Sequence, residues 1–322
     1  MRISVGFEPR TTNLFFFEPK QWKKIKSHPS NSGGKPIRAL STTTTKECNG
    51  GTRDRSSVSS HGRRGLLLMA SLPLLLPGFN VNAEELSDGG TLIIREEVKK
   101  VLSKAKAAGV LRLVFHDAGT FDLEDNSGGM NGSIIYELER PENAGLSKSI
   151  KVLERAKLEV EKVQQVSWAD MIAMAGAEAV SLCGGPQIPV RLGRLDARVP
   201  DPEGKLPLES LNASELKKCF LKKGFSTQEF VVLSGAHTLG GKGFGNPNTF
   251  DNIYFKILLE KPWTTSDAMT KMVGLPSDHA LVEDDECLRW VNIYASDQSK
   301  FFDDFKMAYI KLANTGVSWR NT

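Results

Sequence analysis

Beyond residue 83 the chain carries three histidines, His116, His237 and His279. A histidine beside apolar residues is ordinarily a satisfied core side chain, so its neighbours decide whether it can do chemistry. The run Arg112-Leu-Val-Phe-His116-Asp-Ala-Gly-Thr120 places Arg112 and His116 four residues apart, on one face of a helix. A guanidinium that never loses its proton depresses the pKa of a neighbouring imidazole, keeping it neutral and able to accept a proton. Splitting a peroxide O–O bond needs that pair. The base moves the proton and the fixed cation stabilises the departing oxygen.

Helices must position these groups. Residues 91–115 repeat apolar positions at helical spacing, with Gly109 as the expected interruption. Ser147–Val163 reads as an exposed amphipathic helix with Ile150, Leu153, Leu158 and Val163 on its apolar face. The Ala- and Met-rich run Ala169–Leu182 predicts a buried helix stopped by Gly184-Gly185-Pro186. Ser226 and Glu229 form a capping box ahead of Phe230–Ser234, and Ser299–Leu312 predicts a closing helix. Gly, Pro and charge gather at 184–208 and 240–250, the natural long loops. Strand-like alternation is scarce, so the expected class is all-α, without repeats or an interdomain linker.

Composition divides the chain in two. Of its 42 basic and 38 acidic residues, 13 and 4 lie in residues 1–83, leaving 29 and 34 beyond. A body that is acidic once its head is removed has no electrostatic reason to bind nucleic acid. Residues 1–60 are basic, rich in Ser and Thr and nearly free of acids, the composition of an organelle transit peptide. Residues 61–83 carry Arg63-Arg64, the apolar run Leu66–Leu76 and the small-residue end Val81-Asn82-Ala83, a twin-arginine export signal. The apolar run is shorter than the ~20 residues a spanning helix needs. The two signals in this order resemble the bipartite presequence of thylakoid-lumen proteins, so the expected address is the chloroplast thylakoid lumen. The expected folded domain is 84–322. Its cysteines, Cys183, Cys219 and Cys287, allow at most one disulfide.

Residues 111–121, LRLVFHDAGTF, resemble the distal helix of the plant, fungal and bacterial haem peroxidases, specifically the intracellular class of ascorbate and cytochrome c peroxidases. The likeness continues in order through Asn143-Ala-Gly-Leu, VSWADMIAMAG (166–176), GGPQIPVRLGRLD (184–196), LSGAHTLG (233–240), Phe250-Asp251-Asn252-x-Tyr254-Phe255, LPSDHAL (275–281) and the tail 294–316. It implies an all-α haem peroxidase fold, with distal and proximal helical halves around a cleft for haem b. Position by position, it makes His116 the distal acid/base, Arg112 the distal arginine and Asn143 the residue that orients His116. It makes His237 the axial iron ligand and Asp278 the carboxylate behind it. Phe115 stands where ascorbate peroxidases usually carry tryptophan, and Lys104 falls where they have a lysine at the haem edge. His279 matches nothing functional and reads as surface or loop.

The likeness fails between His237 and Phe250. The family's loop there holds an ascorbate-binding arginine and a proximal tryptophan. Here Gly-Gly-Lys-Gly-Phe-Gly-Asn-Pro-Asn-Thr (240–249) is shorter and holds neither. Gly243 or Phe244 takes the tryptophan's slot, and the loop's glycines predict mobility. Pro262-Trp263 echoes the lost motif too late in the chain to reach the same place. A family cation site is eroded to Thr238, Asn246 and Asp251. Two readings follow. One is an ascorbate-peroxidase-like haem peroxidase that removes hydrogen peroxide, with ascorbate or another donor and weakened donor oxidation. The other is a non-catalytic peroxidase fold that binds ascorbate or thylakoid membrane complexes.

Overall fold

Helix signals in the sequence become helices, with boundaries that packing adjusts. The computed structural model describes residues 89–260, 263 and 273–320, all within a unit that begins at Leu75. The presequence segments 1–60 and 61–83 lie outside the described residues. The first two helices are α1 (Gly89–Val101) and α2 (Lys104–Ala118). The break falls at Leu102-Ser103, where Ser103 is extended, and not at Gly109. Gly109 lies inside α2, and a Cβ there would sit 2.8 Å from Ser149 Oγ, so glycine marks a close helix approach.

That neighbour belongs to α3 (Ser147–Val160), whose inward stripe is Ile150, Leu153, Ala156 and Val160. Leu158 and Val163, expected on the same face, are 58% and 69% exposed. The i, i+3, i+6 stripe bypasses Leu158, and the helix ends before Val163. Helix α4 (Trp168–Leu182) is buried from Ala169 through Val180, as its composition predicts. Ser167 Oγ caps it by accepting from the Asp170 amide at 3.0 Å. The Gly185 amide closes its far end on the Val180 carbonyl at 2.9 Å.

The remaining helices are α5 (Ala213–Lys222), α6 (Thr227–Ser234), α7 (Ile253–Leu259), α8 (Pro276–Ala280), α9 (Asp285–Ser296) and α10 (Gln298–Ala313). Capping boxes open α5 at Asn212/Glu215 and α6 at Ser226/Glu229. Helices α1 to α4 pack on one another, and α6, α7, α9 and α10 form a second group joined to the first where α10 meets α2. Phe250, Phe255, Phe301 and Phe305 pack ring on ring in the second group. Buried Arg194 ties the chain's end to α4. It pairs with Asp170 at 2.9 Å and donates to the Ala313 carbonyl at 2.8 Å and Asn314 Oδ1 at 3.0 Å.

Among the described residues there are helices and isolated bridges but no strand, so the all-α expectation holds. None of the described helices is long and apolar enough to cross a membrane. Cys183, Cys219 and Cys287 are all free thiols, and burial pushes the Cys287 pKa up to about 12.

Candidate functional site

A cavity of about 360 Å³ opens between the helical groups, a size usual for small-molecule sites. Helix α2 supplies Arg112, Phe115 and His116 to its lining; the 3-10 turn Gly235–Thr238 supplies His237, and α8 supplies Asp278. Most of the rest is apolar, including Leu216, Phe220 and Leu233. Phe115 stacks on Phe220 at 6.0 Å and meets His116 edge to face at 6.2 Å.

His116 is held by an amide. Its Nδ1 lies 2.7 Å from Asn143 Oδ1, and Asn143 Nδ2 donates to the Glu137 carbonyl at 2.9 Å. With the amide oriented by that second bond, Nδ1 carries the proton and Nε2 is the ring's acceptor. Arg112 donates to the Ala144 carbonyl at 2.9 Å and the Glu142 carbonyl at 2.6 Å. One short turn, Pro141–Asn143 with Ala144, therefore anchors both residues of the Arg112–His116 pair. Burial first, and the Arg112 charge second, lower the His116 pKa to about 4. The Arg112–His116 spacing accounts for the direction and the lesser cause; the greater is desolvation. Next to it Asp117 is wholly buried, accepting from the Gly132 and Ile134 amides at 2.8 and 3.1 Å. Burial pushes its pKa up to about 8.

His237 is held by a carboxylate. Its Nδ1 donates to Asp278 Oδ1 at 2.7 Å, and its side chain keeps 41% of its surface accessible, inside the cavity it lines. Asp278 also accepts from Tyr254 Oη at 2.8 Å on Oδ1 and from the Leu275 amide at 2.8 Å on Oδ2. Burial works against the charged forms of both partners. The Asp278 charge and hydrogen bond outweigh it and raise the His237 pKa, and the His237 charge leads the contributions that lower that of Asp278. Burial and the same carboxylate raise the Tyr254 pKa far above its usual value.

The loop 240–249 is hydrogen-bonded within itself and to Gly274. Its composition predicts mobility, yet the Gly240 amide donates to the Pro247 carbonyl at 2.9 Å and the Gly274 amide to the Lys242 carbonyl at 2.7 Å. Phe244 is buried and packs on Tyr254 with ring centroids 4.6 Å apart. Gly243 has φ +94°, a left-handed conformation that favours glycine. Of the two residues expected in the vacated tryptophan slot, Phe244 is the one packed toward the His237–Asp278–Tyr254 group. Trp263 lies elsewhere, stacked on His279 at 3.9 Å. His279 is a correction. It is 7% exposed, belongs to α8 and pairs through Nε2 with the Val273 carbonyl at 2.6 Å. Its immediate neighbours suggested surface because burial here comes from Trp263, which stacks on its ring, and from the chain at Val273, both beyond the helical turn that holds it. Thr238 Oγ1 donates to Asp251 Oδ1 at 2.9 Å, whereas Asn246 Oδ1 accepts from the Asn248 amide at 3.0 Å. The first two come together, bonded to each other, and Asn246 serves its own turn. Lys104, at the exposed start of α2, is not among the residues lining the cavity.

Sequence reasoning missed three residues, two that line the cavity and one buried behind Asp278. Lys242 and Glu209 both line it, and neither has a local signature, since charged loop residues are ordinarily solvated. Tyr254 falls within the quoted Phe-Asp-Asn-x-Tyr-Phe motif, whose position at the start of α7 could have marked it as inward-facing.

The donor set suits a flat, largely apolar group with a central iron. The walls are apolar, His237 offers Nε2 once Nδ1 is committed to Asp278, and His116, on the other helical group, keeps its Nε2 free as a proton acceptor. Comparisons with known proteins show what the chain is similar to. The family described as peroxidase matches residues 94–297. A protein of Arabidopsis thaliana described as "Putative L-ascorbate peroxidase 6" is 65% identical over 260 residues, covering 80% of this chain and 78% of its own. "L-ascorbate peroxidase 2, cytosolic", also from Arabidopsis thaliana, is 36% identical over 249 residues, covering 70% of this chain and 96% of its own. A "Putative heme-binding peroxidase" of Pyricularia oryzae is 35% identical over 262 residues, covering 70% and 86%.

Proposed function

Because the chain belongs to the peroxidase family, we propose that it is an ascorbate-peroxidase-like enzyme that reduces hydrogen peroxide with haem b held in the cavity. The observation that carries this reading is the pair of histidines, one from each helical group, each with its Nδ1 tied to a side-chain oxygen. His237 Nε2 would hold the haem iron, and Asp278 fixes the tautomer that leaves this atom available. Phe115 and the apolar walls would enclose the macrocycle. When bound, haem would supply the iron that gives electrons to peroxide and takes them back from a donor.

The chain's own groups handle the proton. His116, neutral above about pH 4, accepts a peroxide proton at Nε2 and delivers it to the departing oxygen. Asn143 keeps Nδ1 protonated, so the accepting nitrogen is always the same one. Arg112, anchored on the Glu142 and Ala144 carbonyls, supplies the fixed positive charge beside the O–O bond.

The donor side differs. The loop 240–249 contains neither arginine nor tryptophan, so oxidation of ascorbate is expected to be slower than peroxide cleavage. The absence of turnover residues on the donor side also accommodates a second reading, a peroxidase fold without turnover that binds thylakoid membrane complexes, or ascorbate through residues other than the missing arginine. Mixing the haem-loaded protein with hydrogen peroxide and following the visible spectrum decides between them. A rapid spectral change supports the enzyme, and none leaves the binding protein. Its place of work is the thylakoid lumen, reached through the 1–60 and 61–83 signals and ending in a processed chain near Glu84. Replacing Arg63 and Arg64 with lysine should stop lumenal import in isolated chloroplasts; import that persists overturns the address.

A further inference from the structure

Asp278 is more heavily bonded than its service to one histidine requires. Oδ1 accepts two hydrogen bonds, from His237 Nδ1 at 2.7 Å and from Tyr254 Oη at 2.8 Å, and Oδ2 accepts the Leu275 amide at 2.8 Å. A carboxylate only accepts, so the tyrosine hydroxyl must donate. Two donors on one oxygen compete. Each draws electron density from Oδ1 and weakens its hold on the other.

Tyr254 has no freedom to leave this arrangement. It is fully buried, with Phe244 against its ring at 4.6 Å, Phe255 at 4.9 Å and the His237 ring at 6.0 Å. Phe244 comes from the shortened glycine-rich loop and Tyr254 from α7, so the loop's one aromatic residue holds the hydroxyl on the carboxylate. We infer that Tyr254 is a positioning residue that limits how strongly Asp278 draws on the His237 proton, and thereby sets how much electron density His237 Nε2 offers to iron. The inference rests on the reading of His237 as the axial ligand. Removing the hydroxyl frees Oδ1 for His237 alone, shortens that bond and moves the imidazole toward imidazolate character.

The test is resonance Raman spectroscopy of the ferrous haem protein, with the ferric/ferrous potential measured alongside. In Tyr254→Phe the iron–histidine stretch should rise in frequency and the potential should fall. In an Asp278→Asn background the same substitution should leave both at that background's values. An unchanged stretch in Tyr254→Phe, or an equal shift with Asp278 already replaced, overturns the inference. Should Tyr254→Phe fail to hold haem, 3,5-difluorotyrosine at position 254 retains the ring and donates more strongly. It should lower the stretch, and no movement overturns the inference. If the unsubstituted protein has no iron–histidine stretch, the axial reading itself fails and takes this one with it; if it has one that Tyr254 does not influence, only this one fails.

Discussion

The two sides of the cavity use the same side chain for opposite ends. His116 rests on an amide beside a guanidinium, and burial with that charge drives its pKa to about 4. His237 rests on a carboxylate that overcomes burial and raises its pKa. An amide oxygen orients an imidazole without favouring its charge, which suits a proton acceptor. A carboxylate orients it and also increases the electron density at the far nitrogen, which suits a ligand. The partner of Nδ1, more than the histidine, decides the role.

Removing the ligand should have the largest effect. His237→Ala should abolish the histidine-ligated ferric spectrum on titration with haemin; an unaltered spectrum would place the ligand elsewhere. Removing the base should leave binding intact and slow reduction of peroxide by about 10²–10⁴-fold, the usual contribution of a positioned acid/base. Stopped-flow measurement on His116→Leu checks this, and a rate within a few-fold of the original breaks the assignment.

Exchanging partners sharpens the comparison further. Asn143→Asp gives His116 the kind of neighbour that His237 has. Its pKa should rise, moving the acid limb of the pH–rate profile upward by about 1–3 pH units. An unmoved limb would mean that His116 does not control it. The smallest expected effect is on stability without haem. Because the folded pKa of His116 lies below the ordinary 6.5, the unfolded chain binds the proton more readily between pH 4 and 6.5. Stability attributable to this group therefore rises with pH across that window, by at most about 1.4 kcal/mol per pH unit. His116→Leu should flatten the dependence relative to the unsubstituted protein in thermal denaturation, whereas Asp117, common to both, cancels in the difference. Parallel curves would show that His116 is not depressed.

Local sequence was enough for what depends on near neighbours. The Arg112–His116 spacing and the capping box at Ser226 follow from interactions within four residues, where helix geometry leaves little choice, and the uncharged Ala- and Met-rich composition of α4 marked it for burial. Family resemblance, and not spacing, paired His237 with Asp278 across 41 positions. Folding settled the rest. The turn at Pro141–Asn143 anchors Arg112 as well as His116, and Trp263 and Val273 bury a histidine that its own neighbours left on the surface. A glycine-rich loop is fastened by one phenylalanine packed on Tyr254. Each depends on groups beyond a single helical turn meeting in a low-dielectric interior, where burial sets the protonation of His116 more strongly than the arginine beside it. Sequence specified which groups could react; tertiary structure decided which nitrogen of each histidine is free to do so.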